Sequence, residues 1–294
     1  MKAEIQCIPC FLNQAVEALE LTGADRETRV RTMKHLISFL DRMDFDLSPP
    51  ELSMYFHRII REETGNPDPY IGLKEMSTET VQKLMPYLKE LMEKTDDPLA
   101  LSIKLGALGN VIDFGTPIRM NIEEMVDEVV NKELTVWDYN EFTQALEKAD
   151  RILFLGDNAG EILLDRFLLH QLKERGKTII YGVREGPIIN DATTKEAGEA
   201  GITEFADLIT TGSHAPGTIL KHSTVALKEA LGKADMIISK GQGNFESLAD
   251  DPKLMEMVIP GNPIFFLLTI KCGIVGDFGG VPQGSTIFRQ QILG

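Results

Sequence analysis

Over residues 11–149 apolar side chains recur three and four positions apart, as in Leu12, Val16 and Leu19, a spacing that stacks them on one helical face. Ser48-Pro49-Pro50-Glu51, Asp97-Pro98 and Asp138 read as helix starts, while Gly65-Asn66-Pro67-Asp68-Pro69 and Gly115-Thr116-Pro117 read as loops. The pattern predicts a helical first half with one brief extended piece near 133–136. After Asp150 the period changes. Short apolar runs at 151–155, 178–183, 208–211, 236–239 and 264–268 alternate with helix-like segments such as 161–175 and 223–231. Strands that alternate with helices imply right-handed crossovers and a mostly parallel sheet covered on both faces. The expected fold class is α/β, with an all-helical domain over 1–145 and a three-layer α/β domain over 146–294.

The polar groups that end these runs collect on one rim. The first run ends in Gly156-Asp157-Asn158-Ala159-Gly160-Glu161, the second in Arg184 and then Asn190-Asp191, the third in Gly212-Ser213-His214, and the fourth in Lys240-Gly241-Gln242-Gly243-Asn244. Ligands of open parallel sheets bind beyond the carboxyl ends of the strands. Asp157 and Asn158 admit two readings, a helix N-cap or a pair of oxygen ligands for a hard divalent cation. Asp191 is likewise either a cap near Thr194 or a third oxygen ligand. Gly241-Gln242-Gly243 is expected to cradle an anion with the Lys240 ammonium above it. It matches neither Gly-x4-Gly-Lys-Ser/Thr nor Gly-x-Gly-x-x-Gly, which argues against a standard nucleotide loop.

Composition narrows the partners. With 294 residues, 43% of them hydrophobic and 26% charged, the chain has material for one large or two medium cores. The formal net charge of −15 repels nucleic acid and anionic membrane, so neither is an expected partner. No apolar run reaches the roughly 18 residues of a membrane span, no signal peptide is evident, and a cytoplasmic location is expected. Oligomeric state is not encoded in any motif.

Gly156-Asp157-Asn158-Ala159-Gly160-Glu161, then Asn190-Asp191, then Lys240-Gly241-Gln242-Gly243-Asn244-Phe245-Glu246, in that order behind a helical half, resembles the metal-dependent damage-control phosphatase family. That family was long catalogued as a domain of unknown function, and a carboxyl methyltransferase activity has also been suggested for some members. The resemblance extends over essentially the whole chain. It implies a helical domain joined to a Rossmann-like α/β/α sandwich, and hydrolysis of phosphate monoesters of small metabolites, sugars or nucleotides, with Mn, Ni, Co or Mg. By resemblance Asp157, Asn158 and Asp191 are the metal ligands, and Lys240 is the phosphate-binding lysine, with Asp157, Asp191 and Lys240 catalytic. Asn110 and Asp113, in Gly109-Asn110-Val111-Ile112-Asp113, resemble the helical half's contribution to the substrate pocket. Glu161, Ser213, His214, Gly241 and Asn244 are expected beside them.

The chemistry follows from charge. A divalent ion and a lysine oppose the negative charge on the phosphoryl oxygens, and the ion also lowers the pKa of water. Position 159 is Ala and cannot serve as the second acid of an Asp-x-Asp pair with Asp157, so attack by water is preferred over a phospho-Asp157 intermediate. Two rivals remain at this point: a methyltransferase using S-adenosylmethionine in the same crevice, and a metal-dependent phosphometabolite-binding protein without turnover. Cys7, Cys10 and Cys272 have several readings: a redox pair, an incomplete zinc site, or small buried apolar groups. A similar Cys-x-x-Cys and Lys-Cys occur in one branch of the family, and the resemblance implies that the thiols meet near the site. Of the histidines His35, His57, His170 and His222 fall in helical patterns, and only His214 lies on the rim.

Overall fold

The computed structural model describes residues 1–111 and 122–293. Its helices are α1 (Cys7–Leu21), α2 (Arg26–Asp41), α3 (Pro49–Thr64), α4 (Ile71–Lys94), α5 (Pro98–Val111), α6 (Ile122–Asn131), α7 (Tyr139–Lys148), α8 (Ile162–Glu174), α9 (Thr194–Glu199), α10 (Val225–Lys233), α11 (Gln242–Leu248), α12 (Pro252–Met257) and α13 (Gly273–Gly279). The strands are β1 (Val136–Trp137), β2 (Arg151–Leu155), β3 (Thr178–Val183), β4 (Asp207–Thr210), β5 (Met236–Lys240), β6 (Pro263–Thr269) and β7 (Thr286–Ile292). The loop expected at Gly115–Pro117 and the candidate Asp113 lie outside the described residues, as does the side chain of Asn110. Among the described residues no helix is long and apolar enough to cross a membrane.

The strands form one sheet in the order β1-β7-β6-β5-β2-β3-β4. The five strands from β6 to β4 run parallel, β7 is antiparallel to β6, and β1 is parallel to β7. From β2 the chain first builds outward through β3 and β4, then returns to place β5 and β6 on β2's other side. That reversal opens a crevice beyond the carboxyl ends of β2 and β5, the usual ligand position in such sheets. The β5 strand is buried along its whole length, which explains why it reads as a continuous apolar run and not as an alternation. The seventh strand carries Arg289, Gln290 and Gln291 and was not apparent as an apolar run; it is held by register pairs from Pro263↔Ile292 to Thr269↔Thr286.

Alternate side chains of each strand face two different cores. Ile152, Phe154, Tyr181, Met236, Ile238, Phe265 and Phe288 pack with α4, α5, α7 and α8. Leu153, Leu155, Ile237, Phe266 and Leu268 pack with α10, α11 and α12 on the other face. A third core joins α1, α2 and α3 with Tyr70. The helical half therefore serves two purposes: its later helices cover one face of the sheet, while α1–α3 stand at the rim, with α3 against α11. The boundary expected near residue 145 falls inside α7, whose Phe142 stacks edge-on against Phe265 and Phe288.

Sequence-local signals set several of the element ends. Ser48 accepts a hydrogen bond from the Glu51 N–H with Pro49 and Pro50 opening α3, and Gly65 closes it in the left-handed region. Thr193 and Glu196 form a capping box on α9. Glu196 has a second role, because the buried Lys74 ammonium lies 2.8 Å from it and 2.6 Å from Asp68, tying α4 to α9. Burial opposes ionisation of Glu196, but Lys74 and Thr193 outweigh it and hold its pKa down at about 2. Lys74 is in turn held above its ordinary value, its two acids overcoming burial. The stabilisation is therefore full between the ordinary values of glutamate and lysine. It is lost as pH falls from 4.5 toward 2. Lys74→Ala should lower unfolding free energy at neutral pH by about 3 kcal/mol, since it strands two largely covered carboxylates. In urea titrations the gap between parent and variant should narrow below pH 4.5; a gap independent of pH would contradict the assignment.

Candidate active site

Beyond β2 the chain keeps close to its neighbours because two glycines let it. A Cβ at Gly156 would lie 2.4 Å from the Tyr181 hydroxyl, and one at Gly160 would lie 2.0 Å from the Ser77 Oγ. Between them stand Asp157, Asn158 and Ala159. Neither polar side chain caps α8, whose first turn has Glu161 at the N-cap and no side-chain capping bond. The Asn158 amide Nδ2 donates to Glu161 at 2.6 Å and to Asp157 at 3.3 Å, which fixes the orientation of the amide. The capping alternative also fails for Asp191, because Thr193 caps α9.

The loops after β2 and β3 are laced together by backbone hydrogen bonds. Ala192 N–H donates to the Asp157 carbonyl at 2.8 Å and Ala159 N–H to the Asn190 carbonyl at 2.9 Å, an antiparallel bridge between Asn158 and Asp191. This holds Asp157, Asn158 and Asp191 side by side. Ile189, just before them, takes a φ of 42°, unusual for a β-branched residue, and packs against the core of α1–α3. Arg184, only 1 % exposed, joins the two acids: its Nε donates to Asp191 at 2.7 Å and its Nη2 lies 3.6 Å from Asp157. The sequence reading did not single out Arg184. Its only signal was its place directly after β3, on the same rim.

Two expected substrate contacts are used inside the protein instead. Asn244 is fully buried; its Nδ2 donates to the Lys240 and Gly156 carbonyls, and its Oδ1 accepts from Arg184 and Thr218. All four hydrogen-bonding positions of the amide are thereby filled, so Asn244 positions the rim and has none left for a substrate. The Gly241 N–H donates to the Leu267 carbonyl at 3.0 Å and is likewise not free for an anion. What Gly241 contributes is space. Its φ of 84° and ψ of 156° suit glycine alone, and a Cβ there would lie 2.1 Å from the Asp157 Oδ2.

Lys240 is fully buried, and its ammonium turns toward α8 instead of standing over the Gly241 turn. It lies 2.5 Å from Asp165 and 3.6 Å from Glu161, while the Tyr181 hydroxyl donates to Asp165 at 2.6 Å. Glu161 is pressed from the other side by α5, where a Cβ at Gly109 would lie 2.0 Å from its Cγ. The helix segment that carries Asn110 thus reaches the site. Ser213 and His214 sit apart: the His214 ring lies over Gly186, and neither residue lines the cavity that contains Asp157. Burial, with Arg61 nearby, holds His214 below its ordinary value, in the neutral form at pH 7.

That cavity encloses about 560 Å³. Asp157, Asn158 and Asp191 form part of its wall, α1 and α3 contribute Phe11, Gln14, Pro49 and Ser53, and Cys7, Cys10 and Cys272 complete the rim. All three cysteines are free thiols. Burial raises the pKa of Cys7 and Cys10, so both are protonated at neutral pH and neither is an activated nucleophile. Among the described residues no three His, Cys, Asp or Glu side chains form a group able to hold a metal ion. The oxygen set of Asp157, Asn158 and Asp191 has two carboxylates and an amide.

Negative charge is in excess here. Asp157, Glu161, Asp165 and Asp191 are all buried, with Lys240 and Arg184 the buried cations that pair with them. Burial pushes Asp191 up to about 7, against the pull of Arg184 and with a further push from Asp157. Glu161 is pushed to about 7 by burial and Asp157, against Lys240. Crowded carboxyl groups with such raised values and an all-oxygen donor set suit a hard divalent cation.

The comparisons with known proteins agree over the full length. Residues 3–287 match the damage-control phosphatase ARMT1-like domain. A damage-control phosphatase of Pyrococcus horikoshii is 34% identical over 98% of this chain and 97% of its own. One from Archaeoglobus fulgidus is 29% identical, covering 98% of this chain and 99% of its own. The crystal structure of a DUF89 family protein from Pyrococcus horikoshii superposes with a TM-score of 0.90 at 31% identity, covering 99% of both chains. With this match across both the helical layers and the seven-stranded sheet, the chain belongs to the damage-control phosphatase family and is a phosphatase.

Proposed function

We propose that the chain hydrolyses phosphate monoesters of small metabolites, sugar phosphates or nucleotides, with a divalent cation of the Mn, Ni, Co or Mg class held by Asp157, Asn158 and Asp191. The observation that carries this reading is the lacing of the β2 and β3 loops, which sets these three oxygen-bearing side chains together on the wall of the cavity. Bound there, the cation would supply Lewis acidity toward a phosphoryl oxygen and acidify a water. The chain's own residues do the rest. Arg184 holds Asp157 and Asp191 in place, and Asn158, with its Nδ2 committed to Glu161, has Oδ1 as its ligand atom. Lys240 opposes the burial that pushes Glu161 and Asp165 toward their neutral forms and holds both carboxyl groups in position behind the site. Asn110 and Asp113 are proposed to reach the substrate from α5 and beyond it.

The cavity volume suits a small metabolite, and its amide and hydroxyl side chains Gln6, Gln14, Ser53, Asn190 and Gln242 suit a polyhydroxylated one. A methyltransferase would need the space beside Gly156 and Gly160 for its cofactor. Tyr181 and Ser77 fill that space, so the glycines serve packing within the protein.

Purified protein should release phosphate from p-nitrophenyl phosphate only with an added divalent ion, and EDTA should abolish the release. Metal-independent turnover would overturn the reading. Asp157→Asn should reduce turnover by about a thousandfold with no fall in melting temperature, because removing one of several crowded acids relieves repulsion. A variant that instead unfolds, with activity tracking the native fraction, would make Asp157 a structural residue. Gly241→Ala should lose turnover and roughly 1–3 kcal/mol of stability, since its methyl would collide with the Asp157 carboxylate; unchanged kinetics would show that the β5 turn does not bear on the site.

A further inference from the structure

Glu246 takes no part in the ion pairs around Lys240 and Arg184. It sits on α11, is 9 % exposed and lines the cavity. Gln242, one turn earlier, fixes its direction. The Lys271 N–H donates to the Gln242 Oε1 at 2.7 Å, which turns Nε2 toward the acid, where it donates to the Glu246 Oε1 at 2.8 Å. The second carboxyl oxygen, Oε2, has no hydrogen-bond or ion-pair partner among the described residues. The carboxylate charge acts on the thiols of Cys7 and Cys10, so the group faces α1 across the cavity. Burial pushes its pKa up to about 7, against the Gln242 hydrogen bond and nearby positive charge. Covering a carboxyl group while leaving one oxygen idle is unfavourable for the folded chain alone, which points to a ligand group that completes it.

We propose that Glu246 is a specificity-determining residue, whose Oε2 accepts a hydrogen bond from a hydroxyl group on the organic part of the phosphate ester. The phosphoryl end itself is repelled by the carboxylate. The acid therefore favours the orientation in which that end lies at Asp157, Asn158 and Asp191 and the organic end lies toward α1. The contact is also selective. A hydroxyl group replaces the water that a covered acceptor gives up, whereas an ester without hydroxyl groups leaves the oxygen unmet. Because Gln242 holds Oε1, the free oxygen is already in place when the ester arrives and no side-chain ordering opposes binding.

This inference rests on the reading of the cavity as the active site, and the test separates the two. Ribose 5-phosphate is compared with tetrahydrofurfuryl phosphate, which has the same ring without hydroxyl groups, and with p-nitrophenyl phosphate, in parent, Glu246→Gln and Glu246→Asp. Hydrolysis is measured with the divalent ion present, and binding by calorimetry after EDTA treatment, which requires no turnover. The parent should favour ribose 5-phosphate over tetrahydrofurfuryl phosphate by about tenfold or more in kcat/KM. Glu246→Gln, which puts a donor where the free acceptor was, should cut that ratio by about tenfold, chiefly through KM. Glu246→Asp keeps the acid but withdraws it by one methylene and should lose most of the preference too, so the result does not hang on a single variant folding. A parent without the preference, a ratio unchanged in the variants, or an equal fall for all three esters would overturn the proposal. If ribose 5-phosphate bound with a Glu246-dependent preference yet no ester were hydrolysed, Glu246 would stand and the catalytic reading of the cavity would fall.

Discussion

Two loops that pair by their backbones hold this molecule's chemistry together. Carboxyl groups brought together away from water repel one another and resist ionisation, so a fold that gathers four of them needs something stronger than side-chain preference to keep them there. The hydrogen bonds between Asp157 and Ala192, and between Ala159 and Asn190, supply it, because main-chain geometry does not relax when a side chain ionises. Arg184 and Lys240 then offset part of the charge from beneath. The remaining excess leaves the cavity wall negatively charged.

The sheet was legible because central parallel strands are apolar on both faces, and β2, β3 and β5 announce themselves as runs of Ile, Leu, Val and Phe. β7 was not, since its later residues are only partly buried and include Arg289, Gln290 and Gln291. The place of Asp157 on the rim was legible for a related reason, since only Gly156 separates it from β2, whereas Asp191 lies further beyond β3 and is brought beside it by the backbone pairing of the two loops. The direction of Lys240 is set by the strand before it and not by the glycines after it. Met236, Ile238 and Lys240 share one face of β5, and that face looks toward α8. Strand parity alone would have turned the ammonium away from the turn. The role of Arg184 was not legible because its partners lie seven and sixty residues away, and no local spacing encodes them.

The helical half illustrates the same limit. A three-to-four periodicity shows that a helix has an apolar face but not which core that face meets. Here α4, α5 and α7 belong to the sheet, and α1–α3 make their own core at the rim. Glycines at 106 and 109 record the difference, since they let α5 close on Leu267, Lys240 and Glu161. The thiols had the opposite history. Cys7 and Cys10 open α1 and Cys272 precedes α13, more than 260 residues on, yet all three reach one cavity because α1 and the end of β6 both border it.

Ile189 carries a mechanical implication. A branched side chain held at positive φ stores strain that only its surroundings maintain, and those surroundings are the buried core of the first three helices. The Asn190 carbonyl and the Asp191 carboxylate follow immediately in the chain. The first three helices are thus no detachable cover but an abutment, and the loop that presents Asp191 keeps its shape only while they lean on it.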